Sequence, residues 1–200
     1  SLINKIGWDG NKYIAAIADN GKRIGSGREI HLNPQTWAII AGIVPKNRLK
    51  KVWQAIGKLE TPYGPKLNHP AYKKYDPNIG RVTAFAPGTK ENAAIFSHAA
   101  AFKILAEAMS KKRMAFDSFQ KISPLSKAKK PAIYKAEPYV WAEYVIGPDN
   151  PRYGEGEFTW NTGTAGWMHR LATEWILGVR ATYNGLIVDP VLPKSWKNFY

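Results

Sequence analysis

The sequence predicts a mainly α chain, a partial (α/α)6 barrel (toroid) fragment of about six helices with long loops and short β-hairpins. Three observations point there. Apolar residues recur at helical spacing in several segments. Those segments fall in pairs, separated by Pro- and Gly-rich connections. No short repeat runs through them, which argues against a solenoid. Six helices are about half of a twelve-helix barrel, so the chain is not expected to close on itself. The expected division is an irregular hairpin over 1–32, helix pairs over 33–180 and a connecting segment over 181–200.

The first thirty residues carry the turn signals Asp9-Gly10, Asp19-Asn20-Gly21 and Gly25-Ser26-Gly27, with a short strand from Tyr13 to Ala18 between them. Asn33-Pro34 reads as a helix start, Asn as the cap and Pro at the first position. Trp37, Ile40 and Ile43 follow at helical spacing until Pro45 breaks the run. A second helix over 46–59 aligns Leu49, Val52, Trp53 and Ile56 on one stripe. The connection over 61–88 is long for a compact chain. Tyr63, Tyr72, Tyr75 and Phe85 within it, and Phe96 just beyond, suggest an ordered, functional loop. An Ala-rich third helix is expected over 91–110, a fourth over 112–122, a basic link over 124–131 and a fifth, short helix over 138–146. A turn-rich loop follows over 147–156. Thr162 or Thr164 caps a sixth helix that stops near Gly178. Asn184-Gly185 turns the chain into a short strand over 186–188.

Composition narrows the chemistry. The 200 residues include 44% hydrophobic ones, enough for a sizeable core. No apolar run approaches the roughly 20 residues that span a bilayer, and the N-terminus lacks a signal-peptide core, so a cytoplasmic location is expected. With no cysteine, disulfides, thiolate metal sites and cysteine nucleophiles are excluded. The histidines at 31, 69, 98 and 169 lack metal-ligand spacing, so no metal site is expected. Net charge is +14, which suits an anionic partner, either a nucleic acid, a membrane surface or a phosphorylated small molecule. The basic runs (50–51, 73–74, 111–113, 127–130) are scattered and also suit plain solvated faces. Eight Trp, ten Tyr and seven Phe exceed what such a core needs, and flat rings suit sugar faces and nucleobases alike.

Three segments carry candidate chemistry. In the first, Lys90 and Glu91 stand where an aromatic loop enters the third helix, and His98 follows seven residues later, two turns along the same face. The three form a polar cluster suited to hydroxyl groups, although His98 alone also fits a core histidine. In the second, Thr159-Trp160-Asn161-Thr162-Gly163-Thr164 opens a helix with hydroxyls and a glycine, a pattern that suits one phosphate or an ordinary cap. In the third, Glu137 to Tyr144, with Glu143 inside it, looks like the acidic, aromatic start of a helix at a sugar site.

Together the stretches NPQTWA (33–38), PGTKENAAIFSHAA (87–100), KAEPYVWAEYVIGP (135–148), YGEGEFTWNTGTAGWMHR (153–170), ILGV (176–179) and GLIVDPVLPKSW (185–196) resemble glycoside hydrolase family 94, the inverting disaccharide phosphorylases, to which cyclic β-1,2-glucan synthases are related. The resemblance covers the later part of the family's catalytic helical barrel, and Tyr200 falls about where a C-terminal β-domain would begin. It implies that His98, Thr162 and Gly163 contact the attacking phosphate and that Lys90 and Glu91 line the acceptor sugar. It places Glu143 where cellobiose and chitobiose phosphorylases carry Gln. The implied substrates are a β-linked gluco-disaccharide and inorganic phosphate, giving an α-sugar 1-phosphate, with no other cofactor. The implied parent is a homodimer with no nucleic-acid or membrane partner. The family's general-acid Asp and phosphate-binding Arg belong upstream, and Asp9 does not match the acid, so the chain alone is expected to be inactive. Alternatives are a non-catalytic carbohydrate-binding or scaffolding module, the family domain of a glucan synthase, and a basic nucleic-acid-binding domain.

Overall fold

The structure, a computed structural model, describes residues 1–196. A short helix α1 (Leu2–Ile6) leads into a hairpin of β1 (Ala16–Ile17) and β2 (Arg23–Ile24). Strand β3 (Ile30–His31) runs directly into α2 (Leu32–Ile40), and α3 (Lys46–Gly57) follows. The stretch after it holds β4 (Glu60–Thr61), β5 (Gly64–Pro65), β6 (Asn68–His69) and a 3₁₀ turn at Arg81–Ala84. Next come β7 (Ile95–Phe96), α4 (Ser97–Met109), α5 (Met114–Ile122), α6 (Pro124–Lys127) and α7 (Pro131–Tyr134). Strands β8 (Ala142–Val145) and β9 (Gly156–Thr159) precede α8 (Thr164–Arg170), which continues as a π-helix over Leu171–Ile176. The hairpin of β10 (Val179–Thr182) and β11 (Gly185–Val188) ends the regular structure. The expected connection over 181–200 reaches past the described residues at 197–200, which lie outside the description.

Helix α4 is the centre. Ten of its thirteen residues are buried, and it packs against α2, α5 and α8. Alanine makes this possible, because a methyl lets neighbouring helices approach on several sides at once. Ala99 and Ala106 join Leu32, Val52, Ile56 and Leu59 in one core. Ala101, Ile104 and Leu105 join Ala115, Ile122, Met168 and Leu171 in a second. Burying these side chains contributes about 1.5–3 kcal/mol for each large aliphatic one.

The chain is mixed rather than mainly α. Among the described residues there are eight α-helices, three of them of five residues or fewer, and eleven short strands in five small sheets, with no closed barrel. Four local expectations change. Residues 91–94 are not helical, because Lys90 (φ 46°) and Ala93 (φ 67°) adopt left-handed conformations that interrupt a helix, and the helix begins at Ser97. The expected helix over 138–146 contains β8, whose β-branched and aromatic residues pair with β7 (Phe96 opposite Tyr144) and with β9 (Tyr144 opposite Glu157). The link over 124–131 folds into α6 and the start of α7, each with Pro in its first turn. Asn33 does not cap α2. The cap position is His31, held extended by its pairing with Asn68. The stop at Gly178 is as expected, with φ 76°.

Candidate active site

The three-stranded sheet β7–β8–β9 delivers the starts of α4 and α8 to one place. Strand β7 runs straight into α4, and the Ser97 hydroxyl donates to the Ala142 carbonyl at 2.7 Å, fixing the helix start against β8. His98 is therefore set at the end of the sheet. Strand β9 ends at Thr159, and the following loop brings Thr162 and Gly163 to the same end before α8 begins.

There the structure gathers three of the expected residues. The Thr162 hydroxyl lies 3.4 Å from His98 Nδ1. A Cβ built on Gly163 would stand 3.1 Å from His98 Nε2, so the glycine leaves open the space over that nitrogen. Thr164 is an addition. Its fully buried hydroxyl lies 2.8 Å from that of Thr162 and 3.4 Å from His98 Nδ1. Burial lowers the His98 pKa below 6.5 against the opposing charge of Glu143, so the ring is mostly neutral at pH 7. Glu143, on β8, is thereby near enough to His98 to act on it electrostatically.

Lys90 and Glu91 belong to the turn before β7, so the expected stacking of Glu91 and His98 on one helix face does not occur. Lys90 Nζ sits 4.5 Å over the Phe158 ring and 5.2 Å from the centroid of Phe85, held between two aromatic faces. Glu91 instead lines a cleft of about 490 Å³ with His31, Asn33, Trp37 and Tyr72. In this cleft the Tyr72 hydroxyl is 3.1 Å from His31 Nε2, and Asn33 Oδ1 is buried without a hydrogen-bond partner.

Aromatic rings connect these parts. Phe158 meets Tyr144 at 6.0 Å, Tyr144 stacks on Phe96 at 6.3 Å, and Phe96 meets His98 at 6.5 Å. Beyond His98, Phe102 contacts both Trp37 and Trp167 at 5.0 Å. Burial pushes the Tyr144 phenol up to about 12, with the charges of Glu157, Glu143 and Glu91 adding to it. Phe158 (φ 55°) and Trp160 (φ 69°) hold left-handed backbones that cost bulky residues on the order of 1–3 kcal/mol each. The Trp160 indole donates to Glu137 Oε1 at 2.8 Å, which ties that loop to the segment before β8.

Asp9 stands apart from this cluster. Burial raises its pKa, but the Lys12 ammonium at 2.6 Å and the N–H groups of Asn11 and Lys12 outweigh that and hold it below 3.8. A carboxylate so held is a structural anchor and not a proton donor at neutral pH. Among the described residues, no group of three or more His, Asp or Glu side chains stands close enough to hold a metal ion.

The sequence names the Thr162 and Thr164 hydroxyls and the surplus of aromatic rings, but not the contact of Thr164 with His98 or the order of the rings. The Thr-x-Thr spacing was visible, but only the fold brings residue 164 to residue 98.

A family model described as the glycosyl hydrolase 94 superfamily, catalytic domain, matches residues 1–178. The chain is 41% identical to solabiose phosphorylase of Paenibacillus borealis over 201 residues, 98% of this chain and 26% of that protein. It is 34% identical to N,N'-diacetylchitobiose phosphorylase of Vibrio furnissii over 200 residues, 96% of this chain and 25% of that protein. It is 31% identical to the cyclic beta-(1,2)-glucan synthase NdvB of Rhizobium meliloti over 208 residues, 98% of this chain and 7% of that protein. The chain thus spans about a quarter of the length of the curated phosphorylases it matches.

Proposed function

The chain belongs to the glycosyl hydrolase 94 superfamily, and on that premise we propose that it forms the later part of an (α/α)6 catalytic barrel in an inverting β-glycoside phosphorylase. The reaction is reversible phosphorolysis of a β-linked gluco-disaccharide. A phosphate oxygen attacks the anomeric carbon from the face opposite the leaving sugar. The bond from that carbon to the leaving oxygen breaks, and the oxygen takes a proton from a general acid. The products are an α-sugar 1-phosphate and the shortened acceptor. Phosphate is already an anionic nucleophile, so no second carboxylate is needed to activate it, unlike the water of an inverting hydrolase.

The observation that carries this reading is the grouping of His98, Thr162 and Gly163, with no side chain on Gly163 to crowd His98 Nε2. In the proposal, the Nε2–H donates to phosphate, Thr162 contacts it from the side of Nδ1, and Gly163 leaves it room. Lys90, Glu91 and Glu143 bind hydroxyls of the acceptor, with the rings of Phe96, Tyr144 and Phe158 supplying apolar faces nearby. No carboxylic acid in the cluster is assigned the leaving-group proton. An Asp upstream in the family's order takes that role, which makes the isolated chain inactive. The parent is read as a homodimer of the cytoplasm that uses phosphate as substrate and no metal or organic cofactor. Among the described residues, no helix is long and apolar enough to cross a membrane.

The test compares the complete protein with this chain alone, using β-linked disaccharides and inorganic phosphate and detecting sugar 1-phosphate. The expected result is phosphate-dependent cleavage by the complete protein and none by the chain. Absence of cleavage of any β-gluco-disaccharide by the complete protein would overturn the reading. Release of sugar 1-phosphate by the chain alone would overturn the placement of the acid. His98→Ala in the complete protein is expected to raise the KM for phosphate by at least about tenfold, with a smaller change for the disaccharide.

A further inference from the structure

His98 has two ring nitrogens, and only one carries the proton in the neutral ring. On one side, Nδ1 faces two hydroxyls, Thr162 and Thr164, each at 3.4 Å. On the other, Nε2 faces the space left by Gly163. The two hydroxyls are 2.8 Å apart, and the Thr164 backbone N–H also reaches the Thr162 oxygen at 3.3 Å. Each hydroxyl has one proton to give. Thr164 can donate to Thr162, which then donates to Nδ1, or the order can be reversed. Either order makes Nδ1 the acceptor and leaves the proton on Nε2. The opposite polarity would turn a lone pair of Nε2 toward any anion in the open space.

We propose that Thr164 is a positioning residue that, through the hydroxyl pair it forms with Thr162, holds His98 in the tautomer carrying its proton on Nε2 and so presets a donor for phosphate. This rests on the phosphate reading given above. Thr164 touches neither phosphate nor sugar in this scheme. It is fully buried, and its hydroxyl has no use in the cluster except toward Thr162 and His98. A buried hydroxyl without a partner costs about 1–3 kcal/mol, so the pair is maintained without any ligand.

The experiment uses the complete protein with Thr164→Val, which keeps the shape and removes the hydroxyl, and Thr164→Ser, which restores it. The readouts are the KM for inorganic phosphate, the KM for the disaccharide, and the imidazole ¹⁵N shifts of His98, assigned by their loss in His98→Gln. The expected result is that Thr164→Val raises the phosphate KM about tenfold, the worth of one hydrogen bond, while the disaccharide KM changes less than twofold. The His98 signals should shift away from the Nε2–H tautomer, and Thr164→Ser should restore both.

An unchanged phosphate KM with unchanged ¹⁵N shifts would overturn the proposal. So would an equal loss toward both substrates with the tautomer intact, the mark of a merely structural residue. If the unmodified protein shows no phosphate-dependent cleavage, the phosphate reading falls, and the ¹⁵N shifts alone decide whether Thr164 sets the tautomer. Shifts that move with Thr164→Val uphold the positioning role, and shifts that do not move overturn it.

Discussion

Gly163 has ordinary backbone angles (φ −75°, ψ 3°), so its missing side chain serves space and not conformation. A methyl there would stand 3.1 Å from His98 Nε2. Gly163→Ala is therefore expected to leave stability within about 0.5 kcal/mol in denaturant titration, while phosphate use falls. Loss of folding, or unchanged phosphate kinetics, would contradict this. Glu143 acts differently. It influences the His98 ring only through its charge, and its proposed work is on acceptor hydroxyls. Glu143→Gln in the complete protein should change the ranking of acceptor sugars more than the phosphate KM, and identical acceptor profiles would count against it. At this scale the sequence was informative about residue types. Glycine, threonine and histidine near the starts of two elements could be read directly, and the resemblance supplied their expected partners. The pairing of Nδ1 with Thr164 could not be read, because sixty-six positions separate the two residues and only the sheet joins them.

At the scale of elements, a single buried amide decides the largest departure from the helical pattern. Asn92 is fully buried. Its Oδ1 accepts the Tyr72 N–H at 2.7 Å, and its Nδ2 donates to the carbonyls of Tyr72 (2.9 Å) and Phe85 (2.7 Å). Asn68 does the same from the other side, accepting the Ala93 N–H at 2.7 Å. These bonds satisfy loop backbone that would otherwise be buried without partners, and they hold the turn that carries Lys90 and Glu91. Asn92→Ala should cost on the order of 3 kcal/mol in denaturant unfolding, since it strands several buried groups. A loss below 1 kcal/mol would show that the amide is not the determinant. Helical spacing over 91–110 was real from Ser97 onward. Its extension to 91 failed because propensity does not register a tertiary hydrogen bond. The strand β8 was hidden for the same kind of reason, since its pairing partners lie some fifty residues before and a dozen after it.

At the scale of the molecule, buried charge makes stability depend on pH in two opposite senses. Burial raises the Glu60 pKa, but Lys103 at 2.6 Å and Lys121 at 2.8 Å outweigh it, so its folded pKa lies below 4.5. Its contribution is present above 4.5 and is lost as pH falls through the folded value. Glu60→Gln should lower the melting temperature at pH 7, with the difference shrinking toward acid. Lys127 has the opposite sign. Burial lowers its pKa from 10.5 to about 7, and its ammonium has the Ile122 carbonyl at 2.6 Å and the Tyr134 ring at 5.9 Å but no carboxylate partner among the described residues. Between those values the unfolded chain binds more protons, so Lys127 weakens the fold progressively from pH 10.5 down to 7 and fully below that. Lys127→Met should therefore raise the melting temperature more at pH 6 than at pH 9. The sequence showed neither effect, because Lys127 read as part of a solvated basic run. It did anticipate an unclosed arrangement. Ile3 (52% exposed), Ile6, Ile17 and Trp37 line an apolar groove of about 480 Å³ beside α2. The isolated chain is expected to self-associate in sedimentation at micromolar concentration, and a monodisperse monomer would speak against that.

The Lys90 ammonium, lying over Phe158 and beside Phe85, has a magnetic consequence. Protons on its terminal methylene sit in the shielding cone of the Phe158 ring and should resonate well upfield of the other lysines. A sugar entering beside Lys90 would draw the ammonium off the ring and return those resonances toward their usual position. On the acceptor role proposed for Lys90, the side chain would carry its own reporter of acceptor binding, readable without turnover and without an introduced label.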